Sequence, residues 1–227
     1  MPNNFGRYID HTLLRPTATA DDVRQLCIEA IEHGMSAVCV FPSYVAQARD
    51  LLKDSRVGIA TVIAFPFGVT FTEVKEAELR AAAALGAGEA DIVINIAALK
   101  SGDSSSVEKE MQHLTDKARG LGVLTKFIIE TAYLSHEEKL RTCRIANRVR
   151  PDFMKTSTGY GPAGATVEDV KLMRANLLPE IQIKAAGGIR TYDDARALLE
   201  AGASRLGTSS GVAIIAGWAG WEKARKS

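Results

Sequence analysis

The chain has 227 residues, 46% of them hydrophobic and 24% charged, and a net charge of +1. That is the composition of a globular domain long enough to bury a sizeable core, and the balanced charge points away from nucleic acid and membrane surfaces as partners. Three widely spaced cysteines, Cys27, Cys39 and Cys143, form neither a disulfide framework nor a zinc spacing, which predicts a reducing, cytoplasmic setting.

In chain order, short β-branched runs alternate with longer amphipathic stretches. Strands are predicted at 8–13, 37–41, 58–65, 90–96, 124–130, 152–157, 181–186 and 204–207. Helices are predicted at 21–33, 43–53, 72–85, 104–119, 135–147, 166–175, 191–201 and 210–223. Thr72 and Thr191 read as helix starts, with Gly86 and Gly202 as the matching stops. The repeat has the size of one strand–helix unit, and strands separated by helices argue for a parallel sheet. Eight units closing on themselves give an α/β fold of the (β/α)8 TIM-barrel type, against an open doubly wound sheet, which typically has fewer strands. Linker-like tracts are absent, so residues 1–227 are expected to form a single domain. A secretory leader and a membrane span are not expected, since the start lacks an apolar core and no apolar run approaches roughly 20 residues.

Two lysines stand out because lysine is depleted in strands. Lys155 follows Phe153-Met154, and Lys184 follows Gln182-Ile183, one repeat further on. Active-site groups of such barrels come from the C-terminal ends of the strands, and side chains alternate inward and outward. Ile181 and Ile183 suit the helix layer, which turns Lys184 inward, and the same alternation allows an inward Lys155. Asp91 with Asn95, and Lys126 with Glu130, are expected on the same interior. The last two could equally form a packing layer. An amine in an apolar interior is costly unless paired or used. Two ammonium groups in one cavity would depress the pKa of one amine and make it a nucleophile toward carbonyls.

The run Gly159-Tyr160-Gly161-Pro162-Ala163-Gly164 matches a dinucleotide fingerprint in spacing, but the next strand ends in Ala185-Ala186-Gly187-Gly188, with no acid for a ribose. It also fails as a P-loop, because Ala165 stands where the lysine is needed. Gly187-Gly188 after the seventh strand, and Gly207-Thr208-Ser209-Ser210-Gly211 after the eighth, sit where these barrels usually hold phosphate. His11 is expected near the site, while His33, His113 and His136 fall on helical stretches. Neither metal-ligand nor Ser-His-Asp spacing is present.

The chain resembles the deoxyribose-phosphate aldolase family, a class I, Schiff-base aldolase family, over nearly its full length. The resemblance is carried by Ile9-Asp10-His11-Thr12-Leu13-Leu14, Val38-Cys39-Val40, Asp91-Ile92-Val93-Ile94-Asn95, Lys126-Phe127-Ile128-Ile129-Glu130-Thr131, Lys155-Thr156-Ser157-Thr158-Gly159, Lys184-Ala185-Ala186-Gly187-Gly188 and Leu206-Gly207-Thr208-Ser209-Ser210-Gly211. It implies cofactor-free, reversible cleavage of 2-deoxy-D-ribose 5-phosphate to D-glyceraldehyde 3-phosphate and acetaldehyde, in deoxyribonucleotide and carbohydrate catabolism. By the same resemblance Lys155 forms the Schiff base, Lys184 is its cationic neighbour and Asp91 belongs to the proton relay. Asp10, Thr12, Cys39, Lys126 and Thr158 are implied to serve the substrate, and Gly159, Gly187, Gly188, Gly207, Ser209 and Ser210 its phosphate. No metal is implied, and a homo-oligomer, dimer or tetramer, is expected. Tyr160 and Ala185 depart from members that carry Lys and Pro, and no aromatic tail follows Lys223. The alternative is a class I aldolase for another phosphorylated sugar; more distant rivals are a barrel isomerase using Asp91 and Glu130, and a non-catalytic sugar-phosphate sensor.

Overall fold

The computed structural model describes residues 4–226. Eight parallel strands close on themselves in sequence order, β1 pairing with both β2 and β8. They are β1 (Ile9–Leu13), β2 (Ala37–Val40), β3 (Gly58–Ile63), β4 (Glu89–Val93), β5 (Leu124–Ile128), β6 (Phe153–Lys155), β7 (Gln182–Ala186) and β8 (Arg205–Thr208). The helices around them are α1 (Ala20–Glu32), α2 (Val45–Leu52), α3 (Thr72–Leu85), α4 (Ile96–Lys100), α5 (Ser104–Gly120), α6 (His136–Val149), α7 (Val167–Asn176), α8 (Tyr192–Glu200) and α9 (Gly211–Lys226). The fold is thus the (β/α)8 barrel that the alternation predicts. Among the described residues no helix is long and apolar enough to cross a membrane.

Local chemistry explains the element ends. Thr19, Ser135 and Thr191 each form a capping box with the acidic residue three positions on, Asp22, Glu138 and Asp194, satisfying donors that a helix start leaves free. Gly86 ends α3 in the left-handed region, where a side chain would be strained. Thr72 opens α3, but Phe71 precedes it without a side-chain cap.

Period-2 alternation sorts the strand residues into two environments. Ile92, Phe127, Met154, Ile183 and Leu206 are fully buried in the main hydrophobic core that the strands share with the helices. On the opposite parity the barrel interior carries Asp10, Glu89, Asp91, Lys126, Lys155, Lys184 and Arg205, all joined by ion pairs. A second small cluster of Leu14, Cys39, Ala60 and Val62 fills one side of it. The register sets the neighbours: Asp91 is level with Lys126, Lys155 with Lys184, and Lys184 with Arg205.

Three expectations are corrected. Asn95 does not join Asp91 inside the barrel, because β4 ends at Val93 and the Asn95 side chain accepts from Ala98 N at 3.0 Å, capping the unpredicted short helix α4. Glu130 lies beyond β5 with φ 48°, so it leaves the parity of Lys126. His11 faces outward, its Nε2 2.7 Å from Glu29 Oε2 on α1.

A deeply buried ion pair also lies outside the barrel, between two of the surrounding helices. Lys75 of α3 is fully buried and donates to Glu110 Oε1 of α5 and to Val93 O, both at 2.8 Å. The same Glu110 oxygen accepts from Asn95 N at 3.1 Å. The pair therefore pins the end of β4 to two helices. Removing one member leaves a buried charge unpaired, so Glu110→Ala is expected to lower unfolding stability by about 3 kcal/mol. The double change Lys75→Met, Glu110→Leu is expected to recover most of that loss in a denaturant titration.

Candidate active site

Asp91 is the hub. Its Oδ1 accepts from Lys126 Nζ, and its Oδ2 accepts from both Lys155 Nζ and Lys184 Nζ, each at 2.7 Å. Asp10 approaches from β1, with Oδ2 2.5 Å from Lys184 Nζ, while its Oδ1 accepts from the Arg205 guanidinium, Nε at 2.7 Å. Glu89 completes the set, lying 2.6 Å from Lys126 Nζ and 3.1 Å from Arg205. Room for this is made by Gly207, where a Cβ would stand 3.0 Å from Lys184 Cε.

Four bases thus meet three carboxylates, and they do not share them equally. Lys184 contacts Asp10 and Asp91, Lys126 contacts Asp91 and Glu89 and, at 3.8 Å, Asp10, and Arg205 contacts Asp10 and Glu89; Lys155 contacts Asp91 alone. The proton affinities follow. Burial pushes the Lys155 amine below the ordinary lysine value; Asp91 resists that and the Lys184 charge adds to it. For Lys184 burial works the same way but is outweighed by Asp10 and Asp91, so its pKa is raised and it stays an ammonium. Lys126 is also raised: burial opposes, and Asp91, Glu89 and Asp10 prevail. Asp91 is held well below the usual carboxylate range by Lys126, Lys155 and Lys184 against its burial. Cys39 Sγ lies 4.0 Å from Asp91 Oδ2, and burial, with that carboxylate, pushes the thiol up to about 11, so it is no nucleophile at neutral pH.

A cavity of about 410 Å³ opens above this network at the C-terminal end of the strands. Lys155 is the one lysine of the network that reaches its lining; Lys126, Lys184, Asp91, Asp10 and Cys39 lie fully buried behind it. Thr12, Thr158, Gly159, Gly187, Gly188, Gly207, Ser209 and Ser210 line the cavity with Lys155, a Cβ on Gly187 standing 3.5 Å from Gly159 Cα. Ser209 and Ser210 precede α9, so its N-terminal amides and dipole favour an anion there. Two guanidiniums, Arg15 and Arg190, also line the cavity, where sequence reading had placed none. Glu89 and Arg205 were missed as well, although Glu89 stands two residues before Asp91 and Arg205 lies inside the predicted eighth strand. Tyr160 closes the rim: its hydroxyl donates to Leu14 O at 2.5 Å, and its ring meets Phe65 edge-on at 5.4 Å.

A parallel (β/α)8 barrel with a buried lysine of depressed pKa on the floor of a glycine-walled, anion-seeking cavity has the makings of a carbon–carbon lyase, an aldolase. Comparison with known proteins agrees. Residues 7–217 match the DeoC/LacD family aldolase, and the chain belongs to that family. It is 51% identical to a deoxyribose-phosphate aldolase of Thermococcus gammatolerans over 216 residues, covering 94% of this chain and 96% of the relative. It is 52% identical to one from Thermococcus kodakarensis over 215 residues, with 94% and 96% covered. Among solved structures, a tetrameric deoxyribose phosphate aldolase from Aeropyrum pernix superimposes with a TM-score of 0.89 at 31% identity, covering 95% of this chain and 91% of that one.

The charge network predicts an acid limit. Burial raises the Asp10 pKa, but Lys184, Arg205 and Lys126 outweigh it and bring the carboxyl from 3.8 to about 2. A carboxylate whose folded pKa is depressed stabilises the fold above its unfolded value, and that contribution fades as pH falls through the folded value. Asp10 is therefore expected to contribute roughly 2 kcal/mol above pH ~4 and to lose it as pH drops toward ~2. Asp10→Asn is expected to melt earlier at pH 7 and to show a shallower decline in melting temperature across that acid window.

Proposed function

We propose that this aldolase reversibly cleaves 2-deoxy-D-ribose 5-phosphate to D-glyceraldehyde 3-phosphate and acetaldehyde through an imine on Lys155. The observation that carries the reading is the unequal sharing of carboxylates, which leaves Lys155 the base most readily deprotonated, at the cavity floor. The names of the relatives at 51% and 52% identity supply the substrate.

The neutral Lys155 amine attacks the C1 aldehyde of the open-chain sugar, and loss of water gives an iminium. The iminium withdraws the electron pair of the C2–C3 bond. As that bond breaks, the C3 hydroxyl gives up its proton and its O–H pair forms the aldehyde of glyceraldehyde 3-phosphate, while the C2–C3 pair forms the C1=C2 bond of an enamine on Lys155. Protonation at C2 and hydrolysis release acetaldehyde and restore the amine. The sequence is redox-neutral, so the substrate and the side chains suffice without a cofactor. Asp91, hydrogen-bonded to both Lys155 and Lys184, is placed to pass protons through water between the amine and the substrate. Lys184 supplies the positive charge that discourages protonation of its neighbour. The backbone amides of Gly187, Gly188 and Gly207, the hydroxyls of Ser209 and Ser210, and the Arg190 and Arg15 guanidiniums suit the phosphate. Thr12, Asp10 and Lys126 serve the sugar end, directly or through the network behind it.

We further propose a single-domain enzyme over residues 1–227, working in the cytoplasm as a homo-oligomer. The tetramer named for the Aeropyrum pernix relative supports oligomerisation.

Lys155→Ala is expected to abolish turnover and the adduct formed with substrate and borohydride. Mass spectrometry of the reduced, unaltered enzyme should locate the adduct on the peptide containing Lys155; an adduct elsewhere would reassign the nucleophile. Lys184→Leu removes the neighbouring charge, so the pH at which half the Lys155 amine is trapped should rise by about one unit. An unchanged profile in a folded Lys184→Leu protein would reject the charge-tuning role.

A further inference from the structure

Glu130 is the one carboxylate of the predicted interior set that the chemistry above leaves unused. Its backbone stands at φ 48° and ψ 69°, a left-handed conformation that a side chain resists and that the surroundings must impose. Its side chain is 1% exposed. Oε2 accepts from Thr158 N at 3.2 Å and from the Thr158 hydroxyl, while Oε1 has no hydrogen-bond partner within the protein. Thr158 Oγ1 in turn accepts from Tyr160 N at 2.9 Å. Gly161 lies against the same carboxyl group, and a Cβ there would stand 2.9 Å from Glu130 Cδ. One strained carboxylate therefore clasps the whole of the loop 158–161 that forms one side of the cavity.

The consequence lies in the polarity of Thr158. A threonine hydroxyl has one proton and two lone pairs. The proton is given to Glu130, and one lone pair receives the Tyr160 N–H. The remaining lone pair is all the hydrogen-bonding capacity the side chain has left for a ligand. Thr158 lines the cavity, three residues past Lys155 and next to Gly159, which packs against Gly187. Along the chain it thus falls between the amine of Lys155 and the glycines of the anion-seeking end. A phosphate oxygen is itself an acceptor and finds no donor there, whereas a substrate hydroxyl does find its acceptor.

We propose that Glu130 is a positioning residue for substrate selection: by claiming the Thr158 proton it turns Thr158 into an obligate acceptor for the α-hydroxyl of the departing aldehyde. The inference rests on the aldolase reading given above. In the synthesis direction the enzyme then selects phosphorylated aldehydes bearing an α-hydroxyl over those without one.

The test is condensation of acetaldehyde with D-glyceraldehyde 3-phosphate or with 3-oxopropyl phosphate, which lacks the hydroxyl. The unaltered enzyme is expected to prefer the hydroxylated aldehyde by at least about tenfold in kcat/KM, the worth of one hydrogen bond. Glu130→Met should reduce that preference about tenfold, mostly through KM for glyceraldehyde 3-phosphate, while Glu130→Gln, whose carboxamide oxygen can still accept from Thr158, should restore it. Thr158→Val should lose the same preference, and Glu130→Met combined with Thr158→Val should lose no more than either alone. If Glu130→Met does not fold, Thr158→Val and Glu130→Gln still decide, the first losing the preference and the second keeping it. A preference that survives Thr158→Val, equal losses on both aldehydes, or additive losses in the double variant would overturn the proposal. Absence of any condensation by the unaltered enzyme would overturn the aldolase reading as well, whereas an active enzyme indifferent to residues 130 and 158 overturns this inference alone.

Discussion

A single carboxylate, Asp91, accepts hydrogen bonds from three lysines inside a barrel from which solvent is excluded. Burying that many charges is unfavourable unless each is paired, and three carboxylates for four bases cannot pair them all equally. The deficit falls on the base with the fewest acid contacts. Arg205 cannot give up a proton at any working pH, and Lys126 and Lys184 each have two close acids. Lys155 has one, which it shares with Lys184 on the same oxygen. The amine proposed as the nucleophile is thus set apart by a charge imbalance distributed over six strands, not by any one neighbour.

Barrel geometry makes this imbalance reproducible. Parallel register sets Lys155 level with Lys184 and Asp91 level with Lys126, and alternation along each strand sends these side chains to one side and Ile92, Phe127, Met154 and Ile183 to the other. The apolar face supplies the stability that the polar interior does not. Glu89 stands one interior position before Asp91 and Arg205 is level with Lys184, and the two keep Asp10 and Lys126 oriented. Neither lines the cavity, so they act on Lys155 through the charges of Asp10, Asp91, Lys126 and Lys184.

What the sequence makes legible follows from how local each signal is. The eight strand–helix units, Lys155, Lys184 and Asp91 could be read because period-2 alternation is strict inside a strand. Glu89 obeys the same parity and was missed because the predicted strand begins one residue too late, at a boundary of the kind hardest to place, while Arg205 lies inside the predicted eighth strand and was passed over. Asn95 and Glu130 mislead for the opposite reason: parity was carried past the end of the strand, where a capping turn and a left-handed residue re-aim the side chain. Arg190 and Arg15 approach the cavity from loops, whose paths no periodicity describes. Tyr160 is the sharpest case. Its identity was visible, but its bond to Leu14 spans the barrel mouth and exists only once β1 and β6 are brought around the same axis.

Floor and rim therefore divide the work between different kinds of interaction. The floor is a dense set of buried ion pairs on rigid strands, where a shift in one charge is felt by all the others because little solvent screens them. The rim is a set of loops held by individual hydrogen bonds, Glu130 to Thr158, Thr158 to Tyr160 and Tyr160 to Leu14, each replaceable without altering the charge count below. A barrel arranged in this way can change what its cavity admits through residues such as 15, 160 and 190 while the amine at residue 155 keeps its lowered pKa. The departure at Tyr160 fits that division. A tyrosine there gives up a cationic contact at the rim, Arg190 and Arg15 remain in the cavity lining, and nothing in the Asp91 network has to change to accommodate it.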